Sequence, residues 1–234
     1  MRVILTGVTG FIGKEVLNEA INHPAITSII CVTRSPIPES AKNNSKVQEI
    51  IHEDLSSWPT TLITQLEGAE ACIWSLGIPA GKPGNLETRR KVEVATCHAA
   101  AQAFCTSLAP ALKDKGKKFR FVYLSGMFAA RETDKKLLLM HDIRIAKGEV
   151  ENGLLELEKK EENNFQVTIA RPGGVLDKNT IIPDFLVAAS ASIKADTLGA
   201  AMVEEAVDED KESMTLECAA LRKIGSEALQ RQKK

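Results

Sequence analysis

The chain opens with MRVILTGVTGFIG, in which an apolar run leads straight into glycines at 7, 10 and 13 and then into helical spacing. Val3, Ile4 and Leu5 suit a strand buried on both faces. Beyond Gly13, the residues Val16, Leu17, Ala20 and Ile21 recur at the interval of one helix face. Glycines at such a junction build an anion-binding turn. Gly7 takes the tight bend, Gly10 lets a pyrophosphate approach the backbone, and Gly13 lets helix and strand pack closely. The unbonded N–H groups of the helix start supply the donors. A second apolar segment, SIICVT at 28–33, completes a βαβ unit of about 30 residues, the context that makes a glycine triplet a dinucleotide signal. The spacing is GxxGxxG rather than GxGxxG.

Strands and helices keep alternating along the chain. A third strand is expected at 47–51, ending in HEDL, and a fourth at 71–76, closing at Gly77 before the loop IPAGKPGN, whose prolines and glycines exclude regular structure and which is placed to line a pocket. A long Ala-rich helix is predicted over 87–108, a fifth strand over 119–124 before Ser125, a second long helix over 138–160, and a sixth strand over 166–170 before Arg171. From Ile193 onward the composition reads as helical. This order predicts one α/β domain over 1–234, a doubly wound parallel sheet of the Rossmann type, with 175–234 contributing the substrate pocket. Ligands of such sheets bind at the carboxyl ends of the strands, where Gly7, Arg34, Asp54, Gly77, Ser125 and Arg171 fall.

At 234 residues the chain is long enough to bury roughly 70 to 75% of its unfolded surface without metals or disulfides. Thirty basic residues against 31 acidic ones leave a net charge of −1, with no long single-sign block, which points away from nucleic-acid and membrane partners. Cys31, Cys72, Cys97, Cys105 and Cys218 show no CxxC pair and lie mostly in apolar segments, so they read as buried thiols in a reducing compartment. The four histidines are scattered, and no metal site is expected. With no leader-like or membrane-length apolar stretch, the expected location is the cytosol. Oligomeric state is not legible.

Arg34 stands just past the second strand, where an NAD site would place an acidic group for the ribose 2′-hydroxyl. A guanidinium there suits the 2′-phosphate of NADP, with Ser35 as a second donor. Asp54 is placed to accept from an adenine amino group and Leu55 to cover the ring. Leu76 and Gly77 expose backbone beside a cofactor ribose.

TGVTGFIG at the start, HEDL after the third strand, YLSG after the fifth, KGEVE on the long helix and RPGGVL after the sixth together resemble the short-chain dehydrogenase/reductase superfamily, in its atypical branch of NmrA-like and Tat-interacting oxidoreductase-like proteins. The resemblance covers nearly the whole chain. It implies that Gly7, Thr9, Gly10, Phe11, Ile12 and Gly13 hold the pyrophosphate. It further implies that Pro172, Gly173 and Val175 present backbone to the carboxamide, that Lys147 holds the nicotinamide ribose, and that Ser125 orients a substrate oxygen. In such families a tyrosine four residues before the lysine protonates the substrate. Here that position is Ile143.

Helix geometry tests the substitutes. His141 lies about 120° around the helix from Lys147, whereas Met140, Ile143 and Arg144 lie within about 60° of it. Tyr123, two residues before Ser125 on a strand, reads as core. Without a tyrosine acid, a ketone would leave an unprotected alkoxide. The leading expectation is therefore an NADP(H)-dependent oxidoreductase acting on a small organic molecule such as an imine, iminium or activated alkene. Two alternatives stay open: a non-catalytic NADP-sensing regulator of the NmrA kind, and a redox-neutral isomerase or cyclase.

Overall fold

Runs of β-branched and aromatic residues with no polar alternation form strands that are covered on both faces. The computed structural model describes residues 1–79, 84–134, 136–162, 164–182 and 184–232. Its first half contains β1 (Arg2–Thr6), α1 (Gly13–Asn22), β2 (Ser28–Thr33), α2 (Glu39–Lys42), β3 (Val47–Ile51), α3 (Thr60–Leu66) and β4 (Ala71–Trp74). There follow α4 (Leu86–Arg89), a π-helical turn (Arg90–Val94), α5 (Ala95–Ser107), α6 (Pro110–Lys113), β5 (Phe119–Leu124), α7 (His141–Lys160) and β6 (Phe165–Arg171). The chain continues through β7 (Gly174–Leu176), α8 (Asp184–Ala189), β8 (Ser192–Lys194), α9 (Ala195–Val207), β9 (Met214–Glu217) and α10 (Cys218–Gln232).

Seven strands form one parallel sheet in the order β3-β2-β1-β4-β5-β6-β9, and β7 pairs with β8 in a separate ribbon. This is the doubly wound parallel fold expected above. Leu5 lies between Cys31 of β2 and Ile73 of β4, so the chain reverses its direction of winding at β1 and β4. That switch point opens a crevice at the carboxyl ends of the two strands.

Helices close both faces. On one, Trp74, Phe104, Phe119, Phe121 and Phe165 pack with Leu62, Leu66, Val150 and Leu154 from α3 and α7. Phe104 is the hub, with its ring centroid 4.7 Å from Trp58 in an edge-on arrangement and 5.8 Å from Phe119. On the other face, Val16, Leu17 and Ala20 of α1 meet Leu198, Met202 and Leu221 of α9 and α10.

Four details differ from the sequence reading. The fourth strand ends at Trp74, two residues early, because Ser75 turns away to donate its hydroxyl to Thr6 O at 2.6 Å. The long Ala-rich helix begins at Leu86, where Asn85 Oδ1 accepts from Thr88 N at 2.9 Å, and it is interrupted by the π-turn. The second long helix starts at His141 rather than 138, and the segment read as helical contains β8 and β9, with β9 completing the main sheet. The central part of the IPAGKPGN loop, 80–83, lies outside the described residues.

Phe104→Ala should cost about 3 to 5 kcal/mol of stability, because it opens a cavity under several rings at once. Leu138→Ala, at a fully exposed side chain, should change stability by less than about 0.5 kcal/mol. Urea titrations of both variants against the parent check the pair.

Candidate functional site

The crevice at the switch point is a cleft of about 610 Å³. Its first wall is the glycine turn. Gly7 has φ +71°, and a Cβ there would sit 2.6 Å from the backbone of Ser75. A Cβ on Gly13 would come within 2.0 Å of Gly7 O, so only glycine allows α1 to approach this closely. No side chain caps the start of α1 at Ile12; Lys14 N and Glu15 N donate to Gly10 O and Ile12 O, and among the described residues the N–H groups of Phe11, Ile12 and Gly13 are left at the positive end of the helix. This cradle fits a dinucleotide pyrophosphate.

Gly10, Phe11, Ile12, Gly13, Leu76, Gly77, Ser125, Lys147, Pro172, Gly173 and Val175 all line the one cleft. Gly7 lies beneath the turn, and Thr9 is exposed on it. Arg34 and Ser35 are exposed just past the carboxyl end of β2, on the side of β1 away from β4. Asp54 is exposed past the end of β3, where its Oδ1 accepts from Ser56 N at 3.0 Å and from Ser56 Oγ at 2.5 Å. Those bonds hold its carboxyl below the usual aspartate range. Leu55 is buried in the core with Ile50 and Leu62. Beyond Val175 the described chain supplies β7, β8 and the helices that pack on α1.

The rest of the cleft is mostly apolar, built from Ile78, Pro79, Met127, Phe128, Ala129, Met140 and Ile143. Met140, just before α7, holds φ 53°, a left-handed conformation that costs a non-glycine residue energy. Ile143 faces the cleft where the resembled family has its acid. Tyr123 is buried and its phenol is pushed well up by that burial, with Lys147 Nζ 5.5 Å from the ring centroid. His141 turns its Nδ1 to accept from Leu137 N at 3.2 Å and is not among the lining residues. Arg144 lines the cleft, but its Nε donates to Phe128 O at 2.8 Å.

Two buried charge groups lie behind the walls, and sequence reasoning did not assign them. Glu151 has no exposed surface, and it accepts from Ser125 Oγ at 2.5 Å, Arg131 Nε at 2.7 Å and Arg171 Nε at 2.8 Å, with a second bond from Arg171 Nη2. Burial alone would raise its carboxyl, but the bonds from Arg171, Ser125 and Arg131 outweigh it and hold the group below its ordinary 4.5. The other group is Arg89 and Glu93, paired at 2.7 Å and each 2% exposed in the side chain. Arg89 Nη1 also donates to Ile78 O at 3.0 Å and so fixes one wall.

Among the described residues Glu93 Oε2 has no hydrogen-bond partner, and it lies 3.9 Å from Lys147 Nζ. Lys147 donates to Leu124 O at 3.2 Å, and desolvation lowers its ammonium below the ordinary lysine range despite Glu93 nearby. The one signal for Glu151 in the sequence was its place four residues after Lys147, one turn along the same helix.

The chain belongs to the NAD(P)H-binding family, whose model matches residues 7–209. Its parallel doubly wound sheet, with a glycine cradle at the switch point, is a Rossmann-like α/β fold. The chain is similar to leucinostatins biosynthesis cluster protein T of Purpureocillium lilacinum, 38% identical over 128 residues, or 53% of this chain and 42% of that one. It therefore spans less than half the length of that relative. Protein FMP52, mitochondrial, of Candida albicans is 28% identical over 75% of this chain and 68% of its own.

Among solved structures, an NADH-dependent reductase described as responsible for alginate metabolism superposes with TM-score 0.69 at 16% identity, covering 92% of this chain and 94% of that one. The oxidoreductase ylbE of Lactococcus lactis gives 0.61 at 22% identity, with 96% of each chain covered. At these identities the likeness is one of fold. Among the described residues no helix is long and apolar enough to cross a membrane.

Because the Glu151 carboxyl is depressed in the fold, its contribution to stability is complete above the ordinary value of 4.5 and is lost as pH falls through the lower folded value. Glu151→Gln should therefore cost about 3 to 5 kcal/mol near neutrality by removing the buried charge that Arg131 and Arg171 share, with Glu217 the carboxylate that Arg171 keeps. The gap to the parent should close as pH is lowered, and urea unfolding from about pH 7 down to about pH 3 checks that sign.

Proposed function

We propose that this protein is an NADP(H)-dependent oxidoreductase acting on a small, largely apolar organic molecule whose reduction needs no proton from the enzyme at the moment of transfer. The observation that carries this reading is Ile143 on the cleft wall, with the Tyr123 phenol buried in the core and the Ser125 proton given to Glu151. An imine held as its iminium, or an activated alkene, meets that requirement.

NADPH bound in the glycine cradle supplies the hydride. The chain's own residues do the rest. The N–H groups of Phe11, Ile12 and Gly13 at the start of α1 receive the pyrophosphate, and Arg34 with Ser35 receives the 2′-phosphate by a charge-assisted pair. Asp54 and Leu55 lie toward the adenine end, while Leu76 and Gly77, with Pro172, Gly173 and Val175, offer backbone along the nicotinamide half. Lys147 holds the nicotinamide ribose and faces any negative charge that develops on the substrate. The apolar wall of Ile78, Met127, Phe128 and Ile143 keeps water from the reacting carbon. Hydride on an iminium carbon leaves a neutral amine, and hydride on the β-carbon of an enone leaves an enolate that water protonates as it departs.

Ile143 also favours the sensor reading, in which the nucleotide is bound and no substrate is turned over. Loss of NADPH absorbance on addition of imines, enones or ketones separates the two. Turnover with the first two classes supports the oxidoreductase, whereas tight NADP binding with no turnover in any class leaves the sensor. The five buried, unpaired thiols support a reducing compartment, taken here to be the cytosol.

Arg34→Asp should weaken NADP by about 10- to 100-fold through loss of a charge-assisted pair, and leave NAD unchanged or bound more tightly. Calorimetry with both coenzymes decides it, and equal weakening of the two would show that Arg34 does not read the 2′-phosphate.

A further inference from the structure

Ser125 carries one hydroxyl proton, and its destination is fixed. Its Oγ lies 2.5 Å from Glu151 Oε1. That carboxylate is flanked by the guanidinium groups of Arg131 and Arg171, both within ion-pair distance. A carboxylate so placed is ionised and has only lone pairs to offer, so the serine must be the donor. Ser125 nevertheless forms part of the cleft wall and is 4% exposed. With its proton on Glu151, the hydroxyl has acceptor lone pairs left and no proton to offer the cleft. Lys147 has the opposite polarity, since an ammonium has donors and no acceptor.

We propose that Ser125 reads a hydrogen-bond donor on the substrate, a hydroxyl or an N–H group, and that Glu151 sets this polarity by holding the serine proton. The proposal rests on the cleft being the substrate site of the oxidoreductase proposed above. It narrows the substrate to apolar molecules that carry such a group. A hydroxyl matches both neighbours, because it accepts from Lys147 and donates to Ser125. A ketone oxygen only accepts, and beside Ser125 it would set lone pair against lone pair. The serine thus departs from the carbonyl-orienting role that the family resemblance implies.

Three compounds of nearly equal shape test the polarity: 1-phenylethanol, (1-fluoroethyl)benzene, which cannot donate, and acetophenone, which only accepts. Their affinities are measured by ligand-observed NMR on the full chain, without nucleotide and with saturating NADPH, whose own binding is read by its fluorescence in the same samples. The alcohol should bind about three- to tenfold more tightly than the fluoride, as one net hydrogen bond allows. In Ser125→Ala that ratio should fall to about one.

Equal binding of the alcohol and the fluoride, including none of either, overturns the proposal, and so does a ratio that survives Ser125→Ala or tighter binding of acetophenone than of the alcohol. A folded Glu151→Gln protein should shift toward acetophenone, because an amide can donate to Ser125 Oγ and release its proton to the cleft. An unchanged ratio there means that Glu151 does not set the polarity, and the proposal fails. If NADPH does not bind but the alcohol preference and its loss in Ser125→Ala remain, the polarity stands and the oxidoreductase reading falls.

Discussion

The contact between the Gly7 turn and Ser75 places the rest of the site. β1 and β4 run side by side to Thr6 and Trp74, and there Ser75 Oγ binds Thr6 O at 2.6 Å and ties the two strand ends together. With the ends joined, the chain after β1 has to bend sharply, and Gly7 does so at φ +71°, where a Cβ would run into the Ser75 backbone. The bend carries Gly7 O under Gly13, where only a glycine fits. The start of α1 and Gly77 thereby line one cleft, and residues that follow β5 and β6 line it too. A side chain at 7 or 13 would push α1 away and separate walls that now face each other.

The buried ions act on this frame in a different way. Removing Glu93 and Arg89 from water costs more than a packed hydrophobic pair of the same volume would, so stability alone does not account for them. Their geometry accounts for what they do to the cleft. Arg89 holds the carbonyl of Ile78, and the π-turn at Arg90–Val94 brings Glu93 to within 3.9 Å of Lys147. An insertion of this kind re-aims a side chain without moving the helix that carries it. On the opposite wall, Glu151 gathers Ser125, Arg131 and Arg171 from three separate segments and fixes how β5 and β6 meet α7. Both arrangements leave the face toward the cleft largely apolar.

The strands that place the site were legible because each is buried on both faces and so lacks alternation, as in FRFVYL and SIICVT. β9 was not, since only Leu216 of its four residues is buried and acidic turns precede it. The break before α5 was hidden because a π-turn shifts the phase of the helix without any proline or glycine to announce it. The glycine cradle was read from local chemistry alone: Gly10 and Gly13 line the cleft, and Gly7 makes the bend beneath them. Glu151 illustrates the opposite case: its partners are some 20 or more positions away in the chain, and only the fold brings them together.

Without the tyrosine, the cleft is better equipped to hold charge than to give a proton. Tyr123 is sealed in the core, the Ser125 proton is engaged by Glu151, and Arg144, whose Nε donates to Phe128 O, is a guanidinium that does not give up a proton. Lys147 remains, and burial lowers its ammonium from the ordinary 10.5 while Glu93 and Glu151 oppose the change. A desolvated cation interacts strongly with a nascent anion because little water screens it. Giving up its proton would leave Glu93 beside a neutral amine, with one carboxylate oxygen unpaired. On the proposed reading, Lys147 therefore steadies a substrate whose electrons have moved, and solvent delivers any proton the product still requires.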